Sequence, residues 1–197
     1  MYDLPTSVTV NGESFKIRAK GDFRMVLQCF NILNAEDLNE NEKCIACLMV
    51  FYEKYNVVED VLKISKVEFE SAVREMFAFM NIGQEESEKS RSAVKLIDWE
   101  KDSLLIASAI NNVAGKEVRA AKYVHWWTFI GYYMAIGDCA LSQIVAIRHK
   151  IAHGEKLEKY EKKFRSENPQ FFNIDYRTAE QKQAEDYIRS MWNGGES

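Results

Sequence analysis

The chain has 197 residues, of which 47% are hydrophobic and 12% aromatic, and this composition excludes a globally disordered polypeptide. The formal net charge of −4 excludes a protein whose whole surface attracts polyanions. The sequence contains only 2 Pro and 9 Gly, which favours long helices over many short strands.

The first predicted element is a β-hairpin at residues 7–17. Asn11-Gly12 is typical of a two-residue type I′ turn, and apolar residues alternate with polar ones on both sides of it. The apolar positions are Val8, Val10, Phe15 and Ile17. We expect this face to pack on a helical body, because two isolated strands are only marginally stable in water.

After the hairpin, apolar residues recur with helical spacing. A first helix follows Asp22 as its N-cap, and a second includes residues 44–55. Ser65 and Glu68 have the spacing of a capping box and begin a third helix, which ends at Gly83.

The second half of the chain begins after a wholly polar segment at residues 84–92. Five further helices are predicted, at about residues 102–113, 117–136, 141–151, 155–165 and 178–194. The second of them is apolar on almost every face, which indicates a buried central helix. We therefore predict a mainly α fold, a compact multi-helix domain with a small N-terminal β-hairpin. Residues 1–83 and 93–197 would be joined by the polar linker and packed as one globular unit.

The segment at residues 155–165 combines a narrow apolar stripe with pairs in which Glu precedes a cation by four residues. This basic end follows an acidic middle of the chain, a pattern that suits self-association or an oppositely charged partner. Lys159, Lys162 and Lys163 are therefore candidate partner-binding residues. The alternative, which the sequence alone favours, is that these charged helix faces are simply solvated.

Two patterns near the end of the 141–151 helix bear on chemistry. His149 and His153 are four residues apart, so both rings could bind one metal ion, but Lys150 occupies the place of a zincin glutamate. No third ligand is evident from the sequence, and we predict no metal site. Arg148 and His153 also resemble the motif of HEPN ribonucleases, in which His transfers a proton and Arg stabilises phosphate charge. That family usually has a polar residue such as Asn where His149 stands, so we favour a helix-terminal cation and a capping histidine.

Two other groups are weaker candidates. Cys44 and Cys47 have the spacing of a metal or redox pair, but no second pair completes four ligands. Their apolar helical surroundings favour core packing. Three carboxylates in the string Asp98-Trp99-Glu100-Lys101-Asp102 could bind a cation, although acids at a helix start are ordinary caps. We predict no cofactor.

An unusual aromatic string, His125-Trp126-Trp127-Thr128-Phe129, is one of five ordered blocks in the second half of the chain. The others are the 98–102 string, Leu105-Ile106, Ile144-Val145-Ala146-Ile147-Arg148 and the charged residues 156–164. In order and spacing these blocks resemble the bacteriophage gene-product-fifteen family of long-tailed phages and prophages of Gram-positive bacteria. The resemblance covers about residues 95–168.

The resemblance implies a tail assembly chaperone that binds the tape-measure protein. It implies no enzymatic activity, so no catalytic residues are carried over. Expected partners are the tape-measure protein, possibly the tail tube protein, and further copies of the chain, with no membrane and no specific nucleic acid. Trp127 and Tyr132 are candidate contact residues, because aromatic side chains supply contact area. Four neighbouring residues are expected in the core: Trp126, Phe129, Ile130 and Tyr133.

We expect the bacterial host cytoplasm as the location, because the first residues lack the basic start and apolar run of a signal peptide. Two alternative functions remain open. One is a HEPN-like ribonuclease that uses Arg148 and His153, and the other is a structural tail component that stays in the virion.

Overall fold

A computed structural model describes residues 3–83, 94 and 96–174. This part of the chain contains two strands and eight α-helices: β1 Ser7–Val10, β2 Glu13–Lys16, α1 Phe23–Leu33, α2 Glu40–Phe51, α3 Val58–Leu62, α4 Lys66–Met80, α5 Ser103–Ala114, α6 Trp126–Met134, α7 Ala140–Ala152 and α8 Lys159–Glu167. Short 3-10 segments are Arg18–Gly21, Val118–Ala120 and Pro169–Phe171. The prediction of a mainly α fold with an N-terminal hairpin is confirmed.

The chain divides into two units. The first consists of Met1–Glu85 and Ile106–Ile136, and the second of Glu86–Leu105 and Gly137–Ser197. The polar linker predicted at residues 84–92 and the helix predicted at 178–194 lie outside the described residues. The predicted division into residues 1–83 and 93–197 therefore stays a prediction.

The hairpin forms as its turn sequence predicts. Strands β1 and β2 pair antiparallel in a register that places Val10 opposite Glu13. The two turn residues, Asn11 and Gly12, have φ of 48° and 87°, and a type I′ turn requires positive φ at both positions.

The apolar face of the hairpin packs on the helices of the first unit. Three of the four predicted positions are buried, and only Val8 is half-buried. The Phe15 ring meets the rings of Tyr52 and Tyr55 edge-on, with centroids 5.6 and 6.1 Å apart. This confirms that the hairpin is not freely solvated.

The predicted capping of the first helices is largely correct. Asp22 accepts a hydrogen bond from the backbone N–H of Arg24 and begins α1, and Ser65 accepts one from the N–H of Glu68 and begins α4. The box at Ser65 is incomplete, because the Glu68 carboxylate turns away to the ammonium group of Lys54.

The prediction of one long helix over residues 117–136 is wrong. After the short 3-10 segment Val118–Ala120 the chain is extended, and α6 begins only at Trp126. The N-cap of α6 is His125, whose ring Nδ1 accepts the N–H of Trp127 at 3.0 Å. Histidine is not among the usual N-cap residues, so the start of α6 carried no standard sequence signal.

In the second unit, the predicted helix over residues 155–165 begins later than expected. Gly154 adopts a left-handed φ of 67° and ends α7, and α8 starts at Lys159 behind Glu158. The core of this unit contains the four buried residues Ile144, Ile147, Leu157 and Phe172. Among the described helices, none is both long and apolar enough to cross a membrane.

Candidate functional site

The second unit contains a buried ion pair between Asp102, just before the start of α5, and Arg148 of α7. Arg148 and Asp102, whose side chains are 1% and 2% exposed, form a bidentate pair with N···O distances of 2.6 and 2.8 Å. The guanidinium also donates to the backbone oxygens of Leu96 and Phe171. All five of its N–H donors therefore form hydrogen bonds. A buried guanidinium requires a paired carboxylate and satisfied donors of this kind to offset its loss of hydration.

This arrangement bears directly on the ribonuclease hypothesis. A catalytic arginine must offer donors to a phosphate oxygen, whereas those of Arg148 are committed to Asp102 and to two backbone carbonyls. His153 is exposed at the end of α7, and its Nδ1 lies 2.9 Å from the backbone oxygen of His149. Arg148 thus stabilises the fold, and it is not available to act together with His153 on a phosphate.

The acidic string before α5 has a structural role too. The Asp98 carboxylate accepts the backbone N–H groups of Glu100 and Lys101, and the Asp102 carboxylate accepts the N–H of Asp98. These are the capping bonds expected of acids at a helix start. Asp102 adds to them the ion pair with Arg148, so two of the five ordered blocks of the sequence meet at this point.

At the C-terminal end of α7, three potential metal ligands lie together. One ring nitrogen each of His149 and His153 and a carboxylate oxygen of Glu155 are all within 4.8 Å of one another, and all three residues are exposed. The imidazole rings stack with centroids 4.1 Å apart. Glu155 was missed by sequence reasoning, because it was assigned to the start of the next predicted helix, at residues 155–165.

The turn after α7 explains the position of Glu155. Its N–H donates to the oxygen of Lys150 at 2.8 Å, and the N–H of Gly154 donates to the oxygen of Ile151 at 3.2 Å. This pair of bonds is a Schellman motif, which reverses the chain at a helix end. Glu155 is thereby returned to within 3.7 Å of the Nδ1 atom of His149. Gly154 just after the apolar pattern was the signal from which this return could have been inferred.

The three candidate lysines of α8 lie on its solvent face. Lys159, Lys162 and Lys163 are exposed, and Lys163 lies 3.8 Å from Glu167. Tyr160, on the same helix, is 70% exposed. Their availability agrees with the predicted contact role, which stays a prediction.

One acid of α8 is held inward. Glu161 is buried, and its carboxylate accepts the Lys150 ammonium at 2.7 Å and the N–H of Glu158 at 2.7 Å. The hydrogen bond from Lys150 is the larger cause of the lowered pKa of Glu161. The start of α8 is thereby fastened to α7, while its lysines remain outside.

In the first unit, the aromatic string closes the end of α4. The indole N–H of Trp126 donates to the oxygen of Met80 at 2.8 Å, and that of Trp127 donates to the oxygen of Phe79 at 3.0 Å. The last carbonyls of a helix have no partner within it, and the Trp126 indole supplies one to the Met80 oxygen. The Phe79 oxygen accepts the Trp127 indole in addition to the backbone N–H of Ile82, which lies at 3.0 Å. This string is therefore a capping device for a neighbouring helix.

The burial of the residues of α6 agrees in part with the predicted division into core and surface positions. Trp126, Phe129 and Ile130 are buried, which confirms the core assignment for these three residues. Tyr133, which was also expected in the core, is only half-buried. The two candidate contact residues, Trp127 and Tyr132, are half-buried. Because the Trp127 indole is tied to α4, only part of its ring face is available to a partner.

His125 is a buried polar residue of the same string. Its Nε2 lies 3.0 Å from the backbone oxygen of Pro5, which requires the proton on Nε2, since Nδ1 accepts the N–H of Trp127. Burial lowers the pKa of His125 from 6.5, against smaller raising effects of the Pro5 oxygen and of Asp22. The ring is therefore a neutral structural group.

An open groove of about 850 Å³ lies on the first unit, beside the 3-10 segment that follows strand β2. Its apolar lining includes Met25, Met49 and Val50. Charged residues of both signs also line it, among them Lys20, Lys122, Asp22 and Glu53. The chain bordering it is unusual, because Ala19 and Lys20 both adopt left-handed φ near 50°. Such backbone conformations are costly for residues with a side chain and cluster at functional sites.

The two cysteines of the Cys44/Cys47 pair are free thiols in the first unit, and they differ in burial. Cys47 is buried, and its thiol contacts the backbone oxygen of Cys29 at 3.6 Å. Cys44 is half-buried, and burial raises the pKa of its thiol, which keeps it protonated. These positions agree with the packing interpretation.

Comparison with known proteins gives one result. The family model described as Bacteriophage Gp15 protein matches residues 1–170. No curated protein and no solved structure matches the chain.

Proposed function

The chain belongs to the Bacteriophage Gp15 protein family, and from this membership we propose that it is a tail assembly chaperone of a phage or prophage. It binds the tape-measure protein during assembly of a long tail, without enzymatic activity, in the cytoplasm of the bacterial host. Further copies of the chain and the tail tube protein are additional partners. The observation that carries the proposal is the family match, which covers 170 of the 197 residues.

The apolar stripes of the proposed partner determine the kind of surface that a chaperone needs. A tape-measure protein is a very long helical chain with apolar stripes, which aggregates unless those stripes are covered before the tube forms around it. Helix-in-groove docking requires an apolar surface with an adaptable lining. The groove on the first unit supports this role, because methionines such as Met25 and Met49 adjust to different apolar partners.

A second surface supports electrostatic contacts. On α8, the exposed Lys159, Lys162 and Lys163 accompany the exposed aromatic ring of Tyr160. A positively charged patch is complementary to an acidic partner surface, and an exposed aromatic ring adds contact area. We propose that this face contacts the tail partner or a second copy of the chain.

The alternatives are weaker on physical grounds. The ribonuclease hypothesis needs a free Arg148, and the guanidinium has no donor left after its bonds to Asp102 and to backbone carbonyls. A structural tail component differs from a chaperone in its fate, because it stays in the virion. Mass spectrometry of purified particles distinguishes the two, and recovery of the chain in stoichiometric amounts from mature virions would contradict the chaperone role.

The test is co-expression of the full chain with the tape-measure protein of the same phage or prophage. We expect the tape-measure protein to be soluble and co-purified with the chain, and to be insoluble when expressed alone. Equal solubility of the tape-measure protein with and without the chain would overturn the proposal.

A matched pair of variants then tests the α8 surface. Replacing Lys159, Lys162 and Lys163 with Glu should leave the circular dichroism spectrum unchanged and reduce co-purification. The control replaces Lys63, Lys101 and Lys116, which are also exposed, and changes the net charge by the same amount. For the wild type and for the control, we expect binding to weaken equally as the salt concentration rises past about 0.15 M. This result would support an electrostatic contact. Equal loss of binding in both triple variants would show that only net charge matters.

A further inference from the structure

We propose that His149, His153 and Glu155 form a binding site for a divalent transition-metal ion of the Zn²⁺ class. One nitrogen from each histidine and a carboxylate oxygen lie within 4.8 Å of one another. Two ligands that are each about 2.1 Å from one ion lie at most about 4 Å apart. The three side chains are exposed, so rotation about their side-chain torsions can bring the ligand atoms closer together.

The tautomer of one histidine is already fixed for metal binding. The Nδ1 atom of His153 lies 2.9 Å from the backbone oxygen of His149, so Nδ1 carries the proton and donates it. The lone pair of Nε2 is then free and the ring is oriented. A hydrogen bond from the second ring nitrogen to a backbone carbonyl is the usual support of a metal-binding histidine.

The backbone holds the third ligand in place. The Schellman turn at Gly154 fixes the position of Glu155 through the bond between its N–H and the oxygen of Lys150. The carboxylate lies 3.7 Å from the Nδ1 atom of His149. The three ligands therefore belong to one short, hydrogen-bonded segment and need no distant part of the chain to assemble.

The electrostatic surroundings favour a cation. The site lies at the C-terminal end of the 13-residue α7, where the helix macrodipole is negative. Lys150, which follows His149 in the sequence, is paired with Glu161 at 2.7 Å. Its positive charge is therefore offset by a neighbouring carboxylate.

The ligand set selects the class of ion. Two imidazoles with one carboxylate suit Zn²⁺, Ni²⁺, Co²⁺ and Cu²⁺, whereas Ca²⁺ and Mg²⁺ need a shell of oxygens. Three protein ligands leave at least one position to water. The site thus binds its ion reversibly at the surface, as distinct from a closed structural site of four protein ligands.

The alternative explanation of the cluster is an exposed ion pair between His149 and Glu155 with a stacked neighbouring ring. The experiment that separates the two is titration of untagged, chelator-treated full-length protein with Zn²⁺ by calorimetry. We expect one saturable site per chain, and a rise in melting temperature with added Zn²⁺, because an ion that binds the folded state stabilises it. Absence of saturable one-to-one binding would overturn the proposal.

Variants assign the ligands. His149→Ala and His153→Ala should each weaken Zn²⁺ binding by at least about tenfold, and Glu155→Gln should weaken it measurably. Glu158→Gln is the matched control, since it removes an exposed carboxylate from the same segment, and it should bind as the wild type does. Unchanged affinity in the two histidine variants would refute the site.

A spectroscopic readout excludes binding by cysteine. The chain has four free cysteines, and thiolate ligation of Co²⁺ produces a near-ultraviolet charge-transfer band that imidazole and carboxylate ligation does not. We expect Co²⁺ bound to the wild type to lack this band. A strong band that persists in His149→Ala would show that the metal is bound by thiolate, and the proposal would be wrong.

Discussion

Replacing Arg148 with Met tests whether the buried ion pair stabilises the second unit. The substitution retains most of the aliphatic volume but removes five N–H donors from acceptors that stay in place. The Asp102 carboxylate, 2% exposed, would lose its bidentate partner, and the oxygens of Leu96 and Phe171 would lose their donors. The variant therefore leaves a charge and two carbonyl groups without the bonds that offset their burial.

The expected magnitude follows from the burial of the pair. Breaking a fully buried ion pair by removing one partner costs about 3–5 kcal/mol, because the remaining charge is uncompensated. For a chain of this length such a loss lowers the melting temperature by about 6–20 °C. The double variant Arg148→Met/Asp102→Leu removes both charges and should be less destabilised than Arg148→Met alone. Measuring the single variant Asp102→Leu as well completes the cycle and gives the coupling energy of the pair.

Urea denaturation followed by circular dichroism measures these differences. The control is Arg165→Met, since Arg165 is an exposed arginine of α8, and its effect should stay within about 0.5 kcal/mol. If Arg148→Met unfolds at the same urea concentration as Arg165→Met, the ion pair contributes nothing and the reasoning fails. If the double variant is the least stable of all, packing rather than charge pairing governs this site.

Three other substitutions follow from single contacts. Trp126→Ala should lower the free energy of unfolding by about 3–5 kcal/mol, because the side chain is 1% exposed and its indole satisfies a carbonyl; a thermal melt that matches the wild type would contradict this. Gly21→Ala should destabilise more than Gly12→Ala in urea, since both positions have positive φ but only at Gly21 would the new Cβ meet Phe79, at 2.8 Å. Equal losses would show that backbone strain alone decides. Because burial lowers the pKa of His125, the folded protein binds fewer protons than the unfolded chain below about pH 6.5. The contribution of neutral His125 to the free energy of unfolding is therefore complete above that pH and is lost as the pH falls towards the folded-state pKa. In melts between pH 7 and pH 5, the melting temperature of His125→Gln should depend less on pH than that of the wild type.

Local signals accounted for the parts of the fold that depend on neighbouring residues. Asn11-Gly12 fixed the hairpin turn, and Asp22 and Ser65 were correct helix starts. The start of α6 could not be predicted, because His125 caps it through a ring nitrogen while the surrounding residues are apolar in helical spacing. An apolar run indicates burial, but it does not reveal where the backbone leaves the extended conformation.

The candidate site was less accessible to sequence reasoning. Arg148 meets Asp102 across 46 residues, and no periodic pattern reports a pairing over that distance. The histidine pair was visible from its spacing, but Glu155 required the geometry of a reversed helix end. Gly154 indicates a helix end at which the chain reverses, but the assignment of residues 155–165 to a helix left this reversal out of the prediction.

The blocks by which the sequence resembles its family have structural roles in both units. The Asp102–Arg148 pair joins two of them, and the indoles of Trp126 and Trp127 cap the end of α4. Substitutions at these residues will impair any function through the fold, because each one removes a partner from a buried polar group. Loss of tape-measure binding in such variants therefore cannot locate the interface. The informative substitutions are those that leave stability unchanged. We expect this of the lysines of α8 and of Tyr160 beside them, because their side chains are exposed.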